Sequence, residues 1–299
     1  MTDDYLYMTN RRSLSQAFHG KWKTLQNIDL SDADLSWAKL EHAHLYNCNL
    51  SGANLYGANL YGANLDKVFA SGADFRYANL ERAYMPYFNA PNANFNRAIL
   101  DGAYLEKAVL SGADIQYSSC INTIFSFANL DRVNGCRVNM SNAKLYKTSL
   151  CEVDMCGADL ESAYLVSSRW SCGNLIKSRL VSVDARGAIF NRCNLNGAVM
   201  NEGVFSKSDF TDADLSESIQ HESNFVDANL TGANLQRASL SDVDLCSANL
   251  TCADLRSVRL VRPLLCNTIF HCAIITVARE EMIIKLEKYD GKKSRIHDC

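Results

Sequence analysis

The sequence has few of the features that interrupt or anchor ordinary chains. Its 299 residues include only 3 Pro, and no apolar run approaches the roughly 18 residues that a membrane-spanning helix needs. Its start does not combine a basic segment with an apolar core, as a secretory signal peptide does. We therefore expect no membrane association, and the 12 Cys then indicate a reducing, cytoplasmic compartment.

Catalytic motifs are also missing. The sequence has no Gly-rich phosphate loop, nucleophile elbow or dinucleotide fingerprint, and its 6 His are scattered. Four cysteines have a zinc-like spacing, but the repeat described below places them on two different sides of the fold, where they cannot converge on one tetrahedral ion: Cys246, Cys252, Cys266 and Cys272. We expect free thiols there and also at Cys136 and Cys156, which are likewise twenty residues apart. We expect no enzyme activity, no cofactor and no metal.

What the sequence does have is a period of five. From Leu25 to Ile275 every fifth residue falls in one register, and 44 of these 51 centres are Leu, Phe, Met or Ile. The residue two before each centre is usually small, as in Ala53-Asn54-Leu55. Because this period is that of neither a helix nor a strand, we interpret each pentad as pointing two residues inward, one small and one large.

A second period, of twenty, lies on the residue just before each centre. We call each set of equivalent sites twenty residues apart a column. The column from Asp34 to Asp254 is Asp or Asn at all twelve sites, whereas the columns that start at Thr24, Asp29 and Lys39 have Asp or Asn at four, seven and four of their twelve sites. Sites twenty residues apart share an environment when four pentads close one coil. Asp and Asn can bond neighbouring backbone groups at turns, so this column is interpreted as structural.

The repeated A(D/N)LXX phrase resembles the pentapeptide repeat proteins over about residues 23 to 277. The resemblance implies an all-β fold, a right-handed quadrilateral β-helix with one pentad on each side. Twenty residues per coil give about 12 to 13 coils stacked at a strand spacing of about 4.8 Å. The unbroken register predicts no inserted loops.

One repeat departs from the pattern. Gln220 is a polar centre preceded by the small Ser218, and a buried amide needs hydrogen-bond partners. We expect residues 216 to 223 to form the weakest coil, with a local distortion.

The ends of the chain depart from the repeat, which divides it into an N-terminal cap at 1–22, the β-helix at 23–277 and a C-terminal segment at 278–299. Ala278 to Tyr289 predicts a short amphipathic helix, followed by a tail. Its apolar stripe must be buried on its own solenoid, as a cap, or against a second copy, as a dimer: Met282, Ile283, Leu286 and Tyr289. Leu264, Ile269 and Ile274 replace Asp and Asn in the last coils, which favours a homodimer through this end.

The outer faces are then the expected place of function, and the leading prediction is a non-catalytic protein-binding scaffold, a class that extends to secreted bacterial effectors. One outward column is rich in tyrosine and lysine, and its tyrosines are the candidate partner-binding residues: Tyr46, Tyr84, Tyr87, Tyr104, Tyr146 and Tyr164. Tyrosine on a rigid surface anchors a protein at low entropic cost. The simpler interpretation is that stacked tyrosines only stabilise neighbouring coils. Single-stranded nucleic acid could use the same platform, but the net charge of −3 disfavours it.

The resemblance also supplies the alternative function. The fluoroquinolone-resistance members of this family are thought to act as acidic mimics of duplex DNA that bind type II topoisomerases such as DNA gyrase. A mimic needs a continuous anionic surface, whereas the four columns carry net charges of +2, −3, −1 and −3. The remaining support for mimicry is one acidic run: Glu41, Glu81, Asp101 and Glu161.

Overall fold

The computed structural model describes residues 24–276. The predicted N-terminal cap at 1–22 and the predicted C-terminal helix and tail at 278–299 lie outside the described residues. The chain divides into two compact units, Met1–Lys144 and Leu145–Cys299, called here the first and the second unit. Residues 24–276 contain no helix, and so none that is long and apolar enough to cross a membrane.

Parallel pairing between residues twenty apart builds each unit. In the first unit Asp34 pairs with Asn54 and Asn54 with Asp74, and in the second unit Asp154 pairs with Asn174, all as isolated parallel bridges. The named strands of the described residues lie in the second unit: β1 Ser239–Ser241, β2 Asp254–Arg256, β3 Arg259–Val261 and β4 Ile274–Thr276. Strand β1 pairs in parallel with β3, and β2 with β4, again with a shift of twenty residues. Four pentads therefore form one coil, as the second period predicted.

The same backbone hydrogen bonds recur from pentad to pentad. The Leu35 N–H donates to the Asn54 carbonyl at 2.7 Å, and the Asn54 N–H donates back to the Ala33 carbonyl at 2.9 Å. The Ala38 N–H then donates to the Leu35 carbonyl at 3.1 Å, which closes a four-residue turn. The turn and bridge pattern continues without an inserted loop through both units. The predicted absence of insertions is confirmed for residues 24–276.

The third residue of each turn has a left-handed backbone. From Asn27 to Cys272 this site has a φ between 48° and 70° in every pentad, and only ten of the fifty residues are Gly. None of the other forty is Val, Ile, Thr or Pro. A positive φ is required at this position of a type II turn and is most strained for β-branched residues. The turn therefore restricts the residue types that the sequence can place there.

The core follows the predicted inward pair. Ala53 and Leu55 are both fully buried, and so are nearly all their equivalents. Aromatic centres stack from coil to coil, with ring centroids 4.7 Å apart for Phe75 and Phe95. The other close stacks lie in the second unit, at 4.9 Å for Phe190 with Phe210 and 5.0 Å for Phe205 with Phe225. Burial of these side chains is the main stabilising contribution to the solenoid.

The coil around Gln220 corrects one expectation. Residues 216 to 223 keep the regular turn and bridge pattern, so the predicted distortion is wrong. Gln220 is buried, and its Nε2 donates to Ser218 Oγ at 2.7 Å, while Ser218 Oγ donates to the Leu215 carbonyl at 2.6 Å. The small residue before the centre therefore supplies the hydrogen-bond partner that a buried amide needs.

The cysteines of the last coils lie in the second unit. Cys246 and Cys266 occupy equivalent sites one coil apart, and the Cys266 N–H donates to Cys246 Sγ at 3.3 Å. Cys246, Cys252, Cys266 and Cys272 all have free thiols, as predicted, whereas Cys136 and Cys156 do not, so the expectation of free thiols is wrong for those two residues.

Candidate functional site

The candidate site is the tyrosine column, which consists of the six predicted tyrosines. Each occupies an outward position of its pentad: the bridging site before a centre, or one of the two turn sites after it. Four lie in the first unit, Tyr46, Tyr84, Tyr87 and Tyr104, and two in the second, Tyr146 and Tyr164. We call the four tyrosines of the first unit the first group and the two of the second unit the second group.

The centre of the first group is a stacked pair. Tyr84 and Tyr104 are bridge partners, and their ring centroids lie 5.3 Å apart with an interplanar angle of 15°. Tyr84 is 48% exposed, whereas Tyr104 is half-buried. The Tyr104 hydroxyl donates to the Glu106 carboxylate. This hydrogen bond is the main reason why the pKa of Tyr104 is raised to about 12, because it stabilises the protonated phenol.

The other two tyrosines of the first group each accept a hydrogen bond from a lysine on the following coil. Lys107 Nζ donates to the Tyr87 hydroxyl at 3.0 Å and lies 5.2 Å from the ring centroid. Lys67 Nζ makes the equivalent contacts to Tyr46 at 3.5 Å and 5.5 Å. The tyrosine hydroxyls raise the pKa of both lysines, which favours the charged ammonium. The surface is therefore aromatic and cationic together.

The second group is smaller. The ring centroids of Tyr146 and Tyr164 lie 6.2 Å apart with a tilt of 33°, and Lys147 Nζ lies 5.2 Å from the Tyr146 centroid. Tyr164 bridges to Asp184, an acidic residue, on the next coil. The second group thus has one close aromatic pair on a more mixed surface.

A second aromatic surface of the first unit was missed from the sequence. We call it the arginine–aromatic ladder: Trp37, Tyr56, Tyr77, Arg97, Tyr117 and Arg137. Arg97 Cζ lies 5.9 Å from the Tyr77 centroid and 5.3 Å from that of Tyr117, and Arg137 Cζ lies 5.9 Å from that of Tyr117. The signal was available, because reading every twentieth residue from Trp37 gives Trp, Gly, Tyr, Arg, Tyr and Arg.

The Trp37 end of the ladder depends on a glycine. A Cβ added to Gly57 would lie 2.5 Å from Trp37 Cε3, so the indole covers the backbone of the next coil. The Trp37 ring meets Tyr56 edge-on at 5.4 Å between centroids, and Tyr56 lies 5.3 Å from Tyr77. Trp37 nevertheless remains 68% exposed, more than any other large hydrophobic residue among those described. An exposed indole held in place is a natural anchor for a partner.

The fold and these surfaces define a class of protein, a β-helix solenoid of five-residue repeats with four repeats in each coil. The chain belongs to the pentapeptide repeat family. The family model, described as Pentapeptide repeats with 8 copies, matches residues 28–66, 53–86, 92–126, 116–150, 137–169, 178–216 and 223–260. Together these matches cover well over half of the chain.

Solved structures of several pentapeptide repeat proteins are similar to this chain. HetL, which is involved in heterocyst differentiation regulation in the cyanobacterium Nostoc sp. strain PCC 7120, is 26% identical over 73% of this chain and 89% of its own, with a TM-score of 0.45. Rfr23 from the cyanobacterium Cyanothece 51142 is 26% identical over 32% of this chain and 63% of its own, with a TM-score of 0.30.

The fluoroquinolone-resistance branch is represented as well. A trypsin-treated form of QnrB1, a plasmid-mediated fluoroquinolone resistance protein, is 15% identical over 64% of this chain and 85% of its own, with a TM-score of 0.29. A comparison with curated protein sequences finds no match.

Proposed function

We propose that the protein is a non-catalytic protein-binding scaffold and that the tyrosine column of the first unit contacts the partner. The observation that carries this proposal is the Tyr84–Tyr104 stack, in which Tyr84 is about half exposed and the two residues are joined by a parallel backbone bridge. Its neighbours Lys107 and Tyr87 add a hydrogen-bonded cation–aromatic pair.

The rigidity of this surface supports binding. Ordering side chains at an interface costs about 0.5–1.5 kcal/mol for each flexible side chain. Here the rings and lysine heads already contact each other, so less order has to be gained when a partner binds. Tyrosine is also among the residue types that dominate binding energy at protein interfaces.

The test compares two triple variants of the full-length protein in cross-linking and capture experiments. Tyr84→Ala/Tyr104→Ala/Tyr164→Ala removes rings from both groups of the column. The control, Phe69→Ala/Ile99→Ala/Ile219→Ala, removes exposed apolar side chains from other columns. We expect the tyrosine variant to lose a partner that the control retains. A partner captured equally by both variants would place the contact elsewhere.

The alternative is a DNA-mimicking binder of DNA gyrase, the type of function that the fluoroquinolone-resistance relative suggests. In the acidic run of this chain, carboxylates already contact neighbouring groups. Asp101 accepts hydrogen bonds from Ser119 Oγ at 2.6 Å and from the Ile121 N–H at 2.9 Å. Glu161 lies 2.7 Å from Arg179 Nη2, so part of its charge is already compensated. These contacts make the acidic run a weak copy of a phosphate backbone.

A supercoiling assay distinguishes the two functions. With purified protein we expect no potent inhibition of gyrase at a stoichiometric ratio. The charge-reversed variant, with Lys at Glu41, Glu81, Asp101 and Glu161, should behave in the same way. Potent inhibition that disappears in this variant would establish the mimic instead.

A further inference from the structure

We propose that the arginine–aromatic ladder binds an extended acidic polypeptide segment in the polyproline II conformation, with two carboxylates three residues apart on Arg97 and Arg137. The ladder lies two pentads from the tyrosine column along each coil of the first unit, which places it on the opposite side of a four-pentad coil. The two surfaces can therefore bind independently.

The first observation is the position of the two guanidinium groups beside aromatic rings. Arg97 lies between the rings of Tyr77 and Tyr117, and Arg137 lies over Tyr117 from the following coil. The Arg97 guanidinium therefore has one aromatic ring on the coil before it and one on the coil after it, while its side chain stays exposed to solvent. A planar guanidinium held in this way is preorganised to bind a carboxylate through two parallel hydrogen bonds.

The second observation is that these two arginines lack an internal anion. Arg76, on the same side of the coil, makes a bidentate pair with Asp74 and is neutralised by it, with Nη2 and Oδ2 2.6 Å apart. Neither Arg97 nor Arg137 has an ion pair within the described residues. The nearby Asp114 accepts hydrogen bonds from the backbone and side chain of Gln116 instead. The surface therefore presents two exposed cations beside aromatic rings, with no carboxylate in an ion pair with either of them among the described residues.

The spacing of the arginines selects the conformation of the ligand. They are two coils apart, which corresponds to about 9.6 Å at a strand spacing of about 4.8 Å. A polyproline II segment advances about 3.1 Å per residue, so residues i and i+3 lie on one side about 9.3 Å apart. Residues i and i+2 of a β-strand are only about 6.7 Å apart. Carboxylates at i and i+3 fit the two arginines, whereas those of a strand do not.

The aromatic part of the ladder supplies the apolar contact. Tyr117 lies between the two arginines, and Tyr77, Tyr56 and Trp37 continue the ladder toward the start of the chain. Grooves lined with aromatic rings recognise proline-rich segments because polyproline II is preformed and loses little entropy on binding. Trp, Tyr and Arg are also the residue types most enriched in binding hot spots.

Single-stranded nucleic acid fits the ladder less well. Its bases bind by stacking on exposed aromatic faces, but arginines already lie over the rings of Tyr77 and Tyr117. The exposed guanidinium groups beside these rings suit carboxylates and proline rings instead.

The first test is made on the unmodified full-length protein by fluorescence anisotropy. One labelled proline-rich peptide carries Glu-Pro-Pro-Glu, a second carries Glu-Pro-Glu-Pro, and a third has Gln in place of Glu in the first. We expect the first to bind at least tenfold more tightly than the other two. Equal affinity for all three, or no binding by any, would overturn the proposal.

The second test uses variants of the same surface. Arg97→Gln/Arg137→Gln and the charge-retaining Arg97→Lys should each weaken the first peptide at least tenfold, while Arg132→Gln, an exposed arginine on another column, should not. Thermal unfolding by circular dichroism checks that each variant is folded. If folded Arg97→Lys bound the first peptide with full affinity, the proposed pair of hydrogen bonds from Arg97 to a peptide carboxylate would be wrong. An oligothymidylate that binds more tightly than the peptide and depends on the same arginines would identify the ladder as a nucleic-acid surface instead.

Discussion

The positive-φ residue of each turn is the position where backbone geometry most restricts the sequence. Fifty successive pentads place this residue in the left-handed region, and most of them do so without glycine. Each such residue stores local strain of roughly 1 kcal/mol that the hydrogen bonds and burial of the coil must offset. Gly, Asn, Asp, Ser, Cys, aromatic and long unbranched side chains fill the site and no β-branched residue does, which agrees with the steric origin of the strain.

This strain can be removed at a site with no other role. Lys207 has a φ of 58°, and we expect Lys207→Gly to raise the free energy of unfolding by ~0.5–1 kcal/mol. Lys39 is an exposed lysine at a bridging position without positive φ, so Lys39→Gly should lower the free energy of unfolding. Urea unfolding of both variants measures the difference. A loss of stability in both would show that the turn residue is not strained.

Gly57 combines a positive φ with a close ring, and Gly72 serves as its control. Both have a φ near 65°, but a Cβ at Gly57 would meet Trp37, whereas a Cβ at Gly72 would have no atom within 4 Å. We expect Gly72→Ala to cost about 1 kcal/mol from the backbone alone, and Gly57→Ala to cost more. The excess should disappear when Trp37→Ala is added. Thermal unfolding of the four variants completes the cycle, and an unchanged excess would mean that the indole is not involved.

At the scale of the pentad, the large inward side chain supplies most of the stability. Leu150 is fully buried, whereas Ser149 faces outward on the bridge to Arg169. We expect Leu150→Ala to lower the free energy of unfolding by about 2–5 kcal/mol, and Ser149→Ala by no more than about 1 kcal/mol. Denaturant midpoints provide the comparison. Similar midpoints would mean that the inward assignment of Leu150 is wrong.

The sequence predicted the inward pair, the coil of twenty residues and the absence of loops, because these depend on periodic volume and polarity along one chain. The coil at Gln220 was misjudged because Ser218 was treated only as a small residue, whereas its hydroxyl accepts a hydrogen bond from the Gln220 amide. The ladder was missed for a different reason. Charges were summed by column, so Arg97 counted as a neutralising cation, and its contact with Tyr77 and Tyr117 appears only when side chains one coil apart are placed together.

At the scale of the whole molecule, the last coils differ from the rest. Leu264, Ile269 and Ile274 occupy outward bridging sites and are each about half exposed. Such sites elsewhere are often Asp or Asn, so these coils carry an unusual amount of exposed apolar surface. We propose that the segment following Ile275, with its predicted stripe, joins this surface in a homodimer.

Truncation after Ala278 tests the proposed dimer. We expect the full-length protein to show the mass of a dimer by light scattering and the truncated protein that of a monomer, because the apolar stripe of the missing segment completes the interface. The variant Leu264→Asp/Ile269→Asp should also be monomeric if the last coils contribute. An unchanged mass on truncation, whether monomer or dimer, would remove the segment from any role in assembly.

The repeated turn also determines how such a chain can change length during evolution. An insertion of one to four residues would move large side chains out of the core from that point onward. An insertion of five keeps every core position but moves each later outward column to the next side of the coil, and an insertion of twenty restores both. A duplication of fifteen base pairs would therefore move part of a surface such as the ladder to another side of the coil without disturbing the interior. A duplication of sixty base pairs would add one coil and lengthen each outward column.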